Sequence, residues 1–122
     1  MRIGPLQLFI AAGVLLLLGV SYSSYREIMQ HDPRRQTGND GIVMLSAEWC
    51  GYCTKLRAGL DEASVPYTLM DIEESEAAED AYFALGARGV PVTVVGQEVV
   101  YGYDADRITR LLADRGYRVR LK

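Results

Sequence analysis

The chain has 122 residues, of which 24% are charged and 49% hydrophobic, and a formal net charge of −3; that length permits one compact domain and little else. The acid excess is concentrated, since residues 40–122 hold nine Lys and Arg against fourteen Asp and Glu, while the residues before them hold four Arg against two acids. Nucleic acid is therefore disfavoured as a partner, because phosphate contacts need a basic face.

From Ile3 to Tyr25 there is no charged residue, and Leu6 to Val20 is a nearly continuous run of Leu, Ile, Val, Ala, Phe and Gly. About 20 helical residues at ~1.5 Å rise cross the ~30 Å hydrocarbon core of a bilayer. Tyr22 and Tyr25 fall where interfacial aromatics collect, and Pro5 suits a first helical turn. Residues 1–25 therefore read as a transmembrane anchor. A signal peptide would share the Arg2 start and the apolar stretch, but Ser21-Tyr22-Ser23 is a poor cleavage site. A buried soluble helix would need a larger partner than the rest of the chain supplies. Arg26, Arg34 and Arg35 beyond the span lean the domain towards the cytoplasmic face of the membrane. The habit of short N-terminal tails to stay inside pulls towards the extracytoplasmic face.

Residues 26–40 are polar and broken by Pro33 and Gly38, and read as a flexible linker. His31, the only histidine, lies here. It reads as solvent-exposed, since no second histidine exists to complete a metal set.

Residues 41–122 read as one domain. Ile42-Val43-Met44-Leu45 has the apolar character of a buried strand. Cys53, Leu56, Leu60 and Ala63 then recur at i, i+3, i+7 and i+10, the pattern of an amphipathic helix. That helix should stop near Val65, because Pro66 biases its predecessor away from helical geometry. Tyr67 to Ile72 reads as a second strand. The acidic run from Asp71 to Asp80 suits a helix start; Ala78, Tyr82 and Leu85 continue that helix, and Gly86 closes it with a left-handed cap. Pro91–Val95 and Glu98–Tyr101 are β-rich and flank Gly96-Gln97, a type II′ hairpin signal. Asp104 caps a last helix whose apolar face is Ile108, Leu111 and Leu112; the basic residues after Leu112 suit its C-terminus. The order is β-α-β-α-β-β-α, an α/β class. The first two strands should be parallel through a right-handed crossover and the last two an antiparallel hairpin.

The only cysteines, Cys50 and Cys53, stand with two residues between them, just after the first strand and at the start of a helix. A structural zinc site needs four ligands, which two cysteines and one distant histidine do not supply. A purely structural disulfide over so short a loop removes little chain entropy. An iron–sulfur centre shared by two chains is the second reading, since two thiolates per chain make four in a dimer. Reversible thiol–disulfide exchange is the leading one. Cys50 directly precedes the helix, whose unpaired N–H groups and dipole favour a thiolate. Lys55 and Arg57 add positive potential and Glu48 opposes it. Cys50 is thus read as the exposed nucleophile, and Cys53, on the apolar helix face, as the buried resolving partner.

Ser46 to Leu60, Gly89-Val90-Pro91 and Tyr101-Gly102-Tyr103-Asp104 together resemble a glutaredoxin across nearly all of residues 41–116. Trp49-Cys50-Gly51-Tyr52-Cys53 is similar in particular to mycoredoxins, and the stretch from Gly102 to Ile108 to glutaredoxin-like proteins recharged by thioredoxin reductase. The resemblance implies a thioredoxin-like fold with a central mixed sheet and a cis peptide bond before Pro91. It implies that Tyr52 borders a thiol-binding groove and that Val90 pairs by its backbone with the cysteine of glutathione or a peptide. The backbone around Gly102, Tyr103 and Asp104 would take a terminal carboxylate, as helix N-termini readily do. Trp49 reads as a structural cover beside the motif.

The same resemblance implies a monomer with no bound metal or organic cofactor. Its substrates would be protein disulfides or mixed disulfides with small thiols. Its reductant would be glutathione or a thioredoxin-reductase-type donor. Several positions depart from the family pattern. Ala47 stands where many members have Lys or Arg, Gly51 replaces a Pro, Gly89 a Thr, and Tyr101-Gly102 a Gly-Gly. The missing cation and Thr weaken glutathione binding unless Arg88 substitutes. Gly51 also occurs in cluster-binding glutaredoxins, which keeps the alternative of a [2Fe–2S] carrier bridged through Cys50 and glutathione in a dimer. The expectation is a membrane-tethered, glutaredoxin-like thiol-disulfide oxidoreductase.

Overall fold

The computed structural model describes residues 2–122. Strand β1 (Ile42–Ser46) is buried along its whole length, as an unbroken apolar run demands. It lies inside a sheet of order β2-β1-β3-β4, with β2 spanning Thr68–Asp71, β3 Val92–Val95 and β4 Glu98–Tyr101. β1 pairs in parallel with β2 (Val43 opposite Thr68) and antiparallel with β3 (Met44 opposite Thr93). β3 and β4 form the expected antiparallel hairpin, with Gly96 at φ 61° in the turn.

The period-two alternation of the central strands divides the core in two. Ile42, Met44 and Val95 pack under Leu56 and Leu60 of α3 (Gly51–Glu62) and Ile108 and Leu112 of α5 (Ala105–Ala113). Val43, Leu45, Val92 and Val94 face Ala81 and Leu85 beside α4 (Glu76–Ala84). Burying each such aliphatic side chain contributes about 1.5–3 kcal/mol. One polar side chain enters this core without a partner: the Thr93 hydroxyl is fully buried and unbonded among the described residues. The helix starts are capped as the sequence suggests, with Asp104 accepting from the Arg107 N–H at 3.1 Å. Ser75, not singled out from sequence, caps α4 by accepting from the Ala78 N–H at 3.2 Å. The element order of the domain, its mixed sheet and the preceding apolar helix all match the sequence-based expectation.

Helix α1 (Pro5–Met29) has no buried residue and a mean hydropathy of 1.9 over its most apolar window. Its 25 residues span about 38 Å, enough to cross a bilayer; a signal sequence meets the same requirement.

The stretch read as a flexible linker is ordered instead. α1 continues a turn past Tyr25, and a short helix α2 (Arg34–Thr37) follows. Asp32 and Thr37 are buried. The Thr37 hydroxyl donates to the Gly96 carbonyl, and the Gln97 amide donates to the carbonyls of Arg34 (2.8 Å) and Gly38 (2.7 Å). Arg115, at the end of α5, donates to the Asn39 carbonyl at 3.0 Å. Polar composition suggested solvent, but these polar groups satisfy one another across the end of the sheet. His31 is half exposed, with Nδ1 3.9 Å from a carboxylate oxygen of Asp80, so it faces α4 rather than open water alone.

Candidate redox site

The two cysteines meet where β1 hands over to α3. They form a disulfide with a Cα–Cα separation of 5.2 Å. Cys50 is the N-cap of α3, and its sulfur accepts from the Cys53 N–H at 3.1 Å. The free N–H groups of that first turn and the helix dipole therefore converge on Sγ, which favours negative charge there once the bond is reduced. Cys53 lies on the buried face with Leu56 and Leu60, as its place in the apolar repeat predicts.

Cys50 is not the exposed sulfur that the sequence suggested: it is 5% accessible, close to the 1% of Cys53. The reason lies 40 residues away. The Val90 carbonyl oxygen stands 3.7 Å from Cys50 Sγ and roofs it. The Val90–Pro91 bond is cis, as the family resemblance implied. The Gly102 N–H donates to the Pro91 carbonyl at 2.9 Å, with Gly102 at φ 79°, a backbone conformation natural to glycine.

Tyr52 is exposed and stacks on Tyr103 with ring centroids 5.2 Å apart. Lys55 Nζ lies 5.3 Å from the centre of the Tyr103 ring. Of the two cations expected near the sulfurs, Arg57 is turned elsewhere, beside the Tyr67 hydroxyl that donates to Asp61. Val90, Pro91 and Gly102 thus gather at the Cys50 sulfur and Tyr52 and Tyr103 flank it, while the Asp104 carboxylate is occupied as the cap of α5. Trp49 does not cover the motif. At 71% accessible it projects into solvent, because the turn into α3 leaves no apolar surface beneath it.

Arg88, Gly89, Val90, Tyr101 and Gly102 line a groove of about 340 Å³ beside Val90. Tyr101 shapes its wall by donating to the Leu85 carbonyl at 2.6 Å. Sequence reasoning also passed over residues 117–122. Val119 is buried, Leu121 packs against the core, and the Tyr103 hydroxyl donates to the Lys122 carbonyl oxygen at 2.9 Å. The alternation Tyr117, Val119, Leu121 was the available signal, too short and too charged between its members to stand out. No group of three or more His, Cys, Asp or Glu among the described residues is arranged to hold a metal.

A mixed four-stranded sheet, a disulfide at the mouth of the first domain helix and a cis-proline loop over the sulfur define a thioredoxin-like thiol redox fold. Residues 42–100 match the family model described as Glutaredoxin, and the chain carries a glutaredoxin-family domain. The structure is similar to the buckwheat glutaredoxin–glutathione complex, with a TM-score of 0.60, 18% identity, and coverage of 79% of this chain and 96% of that one. It is also similar to the glutaredoxin-like protein NrdH-redoxin from Escherichia coli, with a TM-score of 0.52 and 23% identity over 57% of this chain and 92% of that one. A glutaredoxin from Archaeoglobus fulgidus aligns with a TM-score of 0.51 and 23% identity, covering 62% and 88%. No curated protein matches the chain in sequence.

Proposed function

We propose that this protein is a membrane-tethered thiol-disulfide oxidoreductase that reduces protein disulfides or mixed disulfides with small thiols. The observation that carries the reading is the placement of Cys50 Sγ, at a helix N-terminus and 3.7 Å from the Val90 carbonyl. In the reduced protein the Cys50 thiolate attacks one sulfur of the substrate disulfide, and the other sulfur leaves as a thiolate and takes up a proton. Cys53 then attacks Cys50 Sγ in the mixed disulfide, releasing the second substrate thiol and closing the Cys50–Cys53 bond. Two equivalents of glutathione, or a dithiol reductase, return the pair to thiols.

Val90 supports the binding role given to it. Its N–H has no hydrogen-bond partner among the described residues, and its carbonyl faces the sulfur, so an extended peptide can pair with both. Tyr52, Pro91 and Gly102 line the approach, Tyr103 supports Tyr52, and the backbone at the start of α5 remains the proposed carboxylate site. Exposed Trp49 and Tyr52 offer apolar contact on either side of Cys50. The buckwheat relative is described as a glutathione complex and the Escherichia coli one as having a thioredoxin-like activity profile. The missing cation at Ala47 favours the second type of donor. The tether rests on the fully exposed apolar length of α1.

The deciding experiment measures turnover of a glutathionylated peptide and of a peptide disulfide by the detergent-solubilised full chain. Glutathione is compared with a thioredoxin-reductase system, and Cys50→Ser and Cys53→Ser are included. Loss of all turnover in Cys50→Ser with either donor supports the reading. Activity that survives Cys50→Ser ends it, and absence of turnover together with a brown, visibly absorbing anaerobic preparation replaces it with cluster carriage. Retention of the full chain in membranes after alkaline extraction is expected, and its release into the supernatant would remove the tether.

A further inference from the structure

The last six residues alternate strictly. Tyr117, Val119 and Leu121 turn inward, and Arg118, Arg120 and Lys122 are exposed between them. The inward set locks this segment along α3. Leu121 lies so close to Gly59 that a Cβ there would come within 2.5 Å of its methyl carbon, and the Lys122 carbonyl takes the Tyr103 hydroxyl. The outward set is thereby fixed beside Lys55. Between α3 and the segment runs a groove of about 350 Å³, lined by Lys55, Gly59, Glu62, Tyr103, Arg120 and Lys122 among others. It adjoins a smaller hollow of about 180 Å³ that adds Arg118.

Four cations thus meet one carboxylate, Glu62, on a domain whose overall balance is strongly acidic. Among the described residues none of the four is in an ion pair. Lys55 and Gly59 lie five and nine residues beyond Cys50, ~8–14 Å along the helix axis. An extended peptide covers that distance in about two to four residues.

We propose that the groove between α3 and residues 117–122 recognises acidic residues near the target cysteine of a protein substrate. This rests on the oxidoreductase reading and deepens it, because it assigns the charge class of the substrate. Tyr103, stacked on Tyr52, joins the groove to the redox pair, so a peptide whose disulfide sits over Cys50 lays its flanking side chains against Lys55, Arg120 and Lys122.

The test uses the full chain in detergent and three peptide disulfides with acidic, neutral or basic flanks. The readout is the ratio of kcat/KM between acidic and neutral peptides. A ratio of about ten at low salt, falling towards one as salt screens the pairing, is expected. The double charge reversal Arg120→Glu and Lys122→Glu should bring the ratio to one or below and favour the basic peptide. Gly59→Ala, which pushes Leu121 away, should lower it without changing any charge. Anisotropy of a labelled acidic peptide carrying Ser in place of Cys reports the groove separately from the chemistry. Binding of this probe that is lost on charge reversal supports the groove even in a chain that fails to turn over. A ratio near one in the native chain, or binding that ignores the reversal, overturns it while leaving the redox reading in place.

Discussion

The hydroxyl of Thr37 donates to the carbonyl of Gly96 across 59 residues of sequence. This bond clasps the segment after α1 to the hairpin turn, at the end of β1 opposite the cysteines. The domain is therefore held on its N-terminal helix through a folded junction, and the redox pair sits on the far side of the sheet from that junction. Thr37→Val removes the donor and leaves the buried Gly96 carbonyl unpaired, so the full chain should lose about 1–2 kcal/mol of stability. An unchanged denaturation midpoint would mean that the junction adds nothing.

Asp32 links the same junction to pH. Burial alone would raise its carboxyl, but the Arg34 side chain and backbone N–H, with the charges of Arg34 and Arg35, outweigh burial and hold it below the usual carboxylate range. Arg34 Nε and Nη2 approach it at 3.0 Å and 2.6 Å. A carboxyl depressed in the folded state contributes stability that is present above its unfolded value, near ~3.9, and lost as pH falls through the folded one. Acid titration of unfolding should show this loss below about pH 4, and Asp32→Asn should flatten the Asp32 contribution. A variant with the same acid slope as the native chain would contradict the assignment.

Thr93 makes the opposite case. Its hydroxyl is buried between β1 and β4 without a partner, so Thr93→Val exchanges an unsatisfied group for a methyl of similar size. Stability should rise by about 1 kcal/mol, visible as a higher denaturation midpoint with unchanged slope. A lower midpoint would show that the hydroxyl is bonded.

Val90→Pro tests the backbone role most directly, since it removes the free N–H and retains an apolar side chain. Loss of one hydrogen bond to bound peptide should lower kcat/KM for peptide disulfides by about tenfold. The rate with a small disulfide that makes no backbone pairing should fall less. Circular dichroism checks that the loop still folds, and equal losses for both substrates would remove Val90 from peptide binding.

Much of the molecule was legible before any coordinates. The strand at Ile42–Leu45, the cysteine spacing, the Gly96 turn and the Asp104 cap are local signals, written within a few residues of where they act. They specified the α/β order, the hairpin and the position of Cys53 on the buried helix face. The family pattern added the cis bond before Pro91. What sequence misread depends on partners distant along the chain. Residues 30–41 look like solvated linker until the Gly96-Gln97 turn and Arg115 arrive to bond them. Cys50 looks exposed until Val90 covers it, and Trp49 looks like a cover until the turn leaves it over water. By itself the sequence determined the redox pair and the fold, because hydrophobic periodicity and capping act over a few residues. Only the tertiary structure decided which side chains surround the sulfur and that the tail's cations line α3, because those contacts arise when the chain closes on itself.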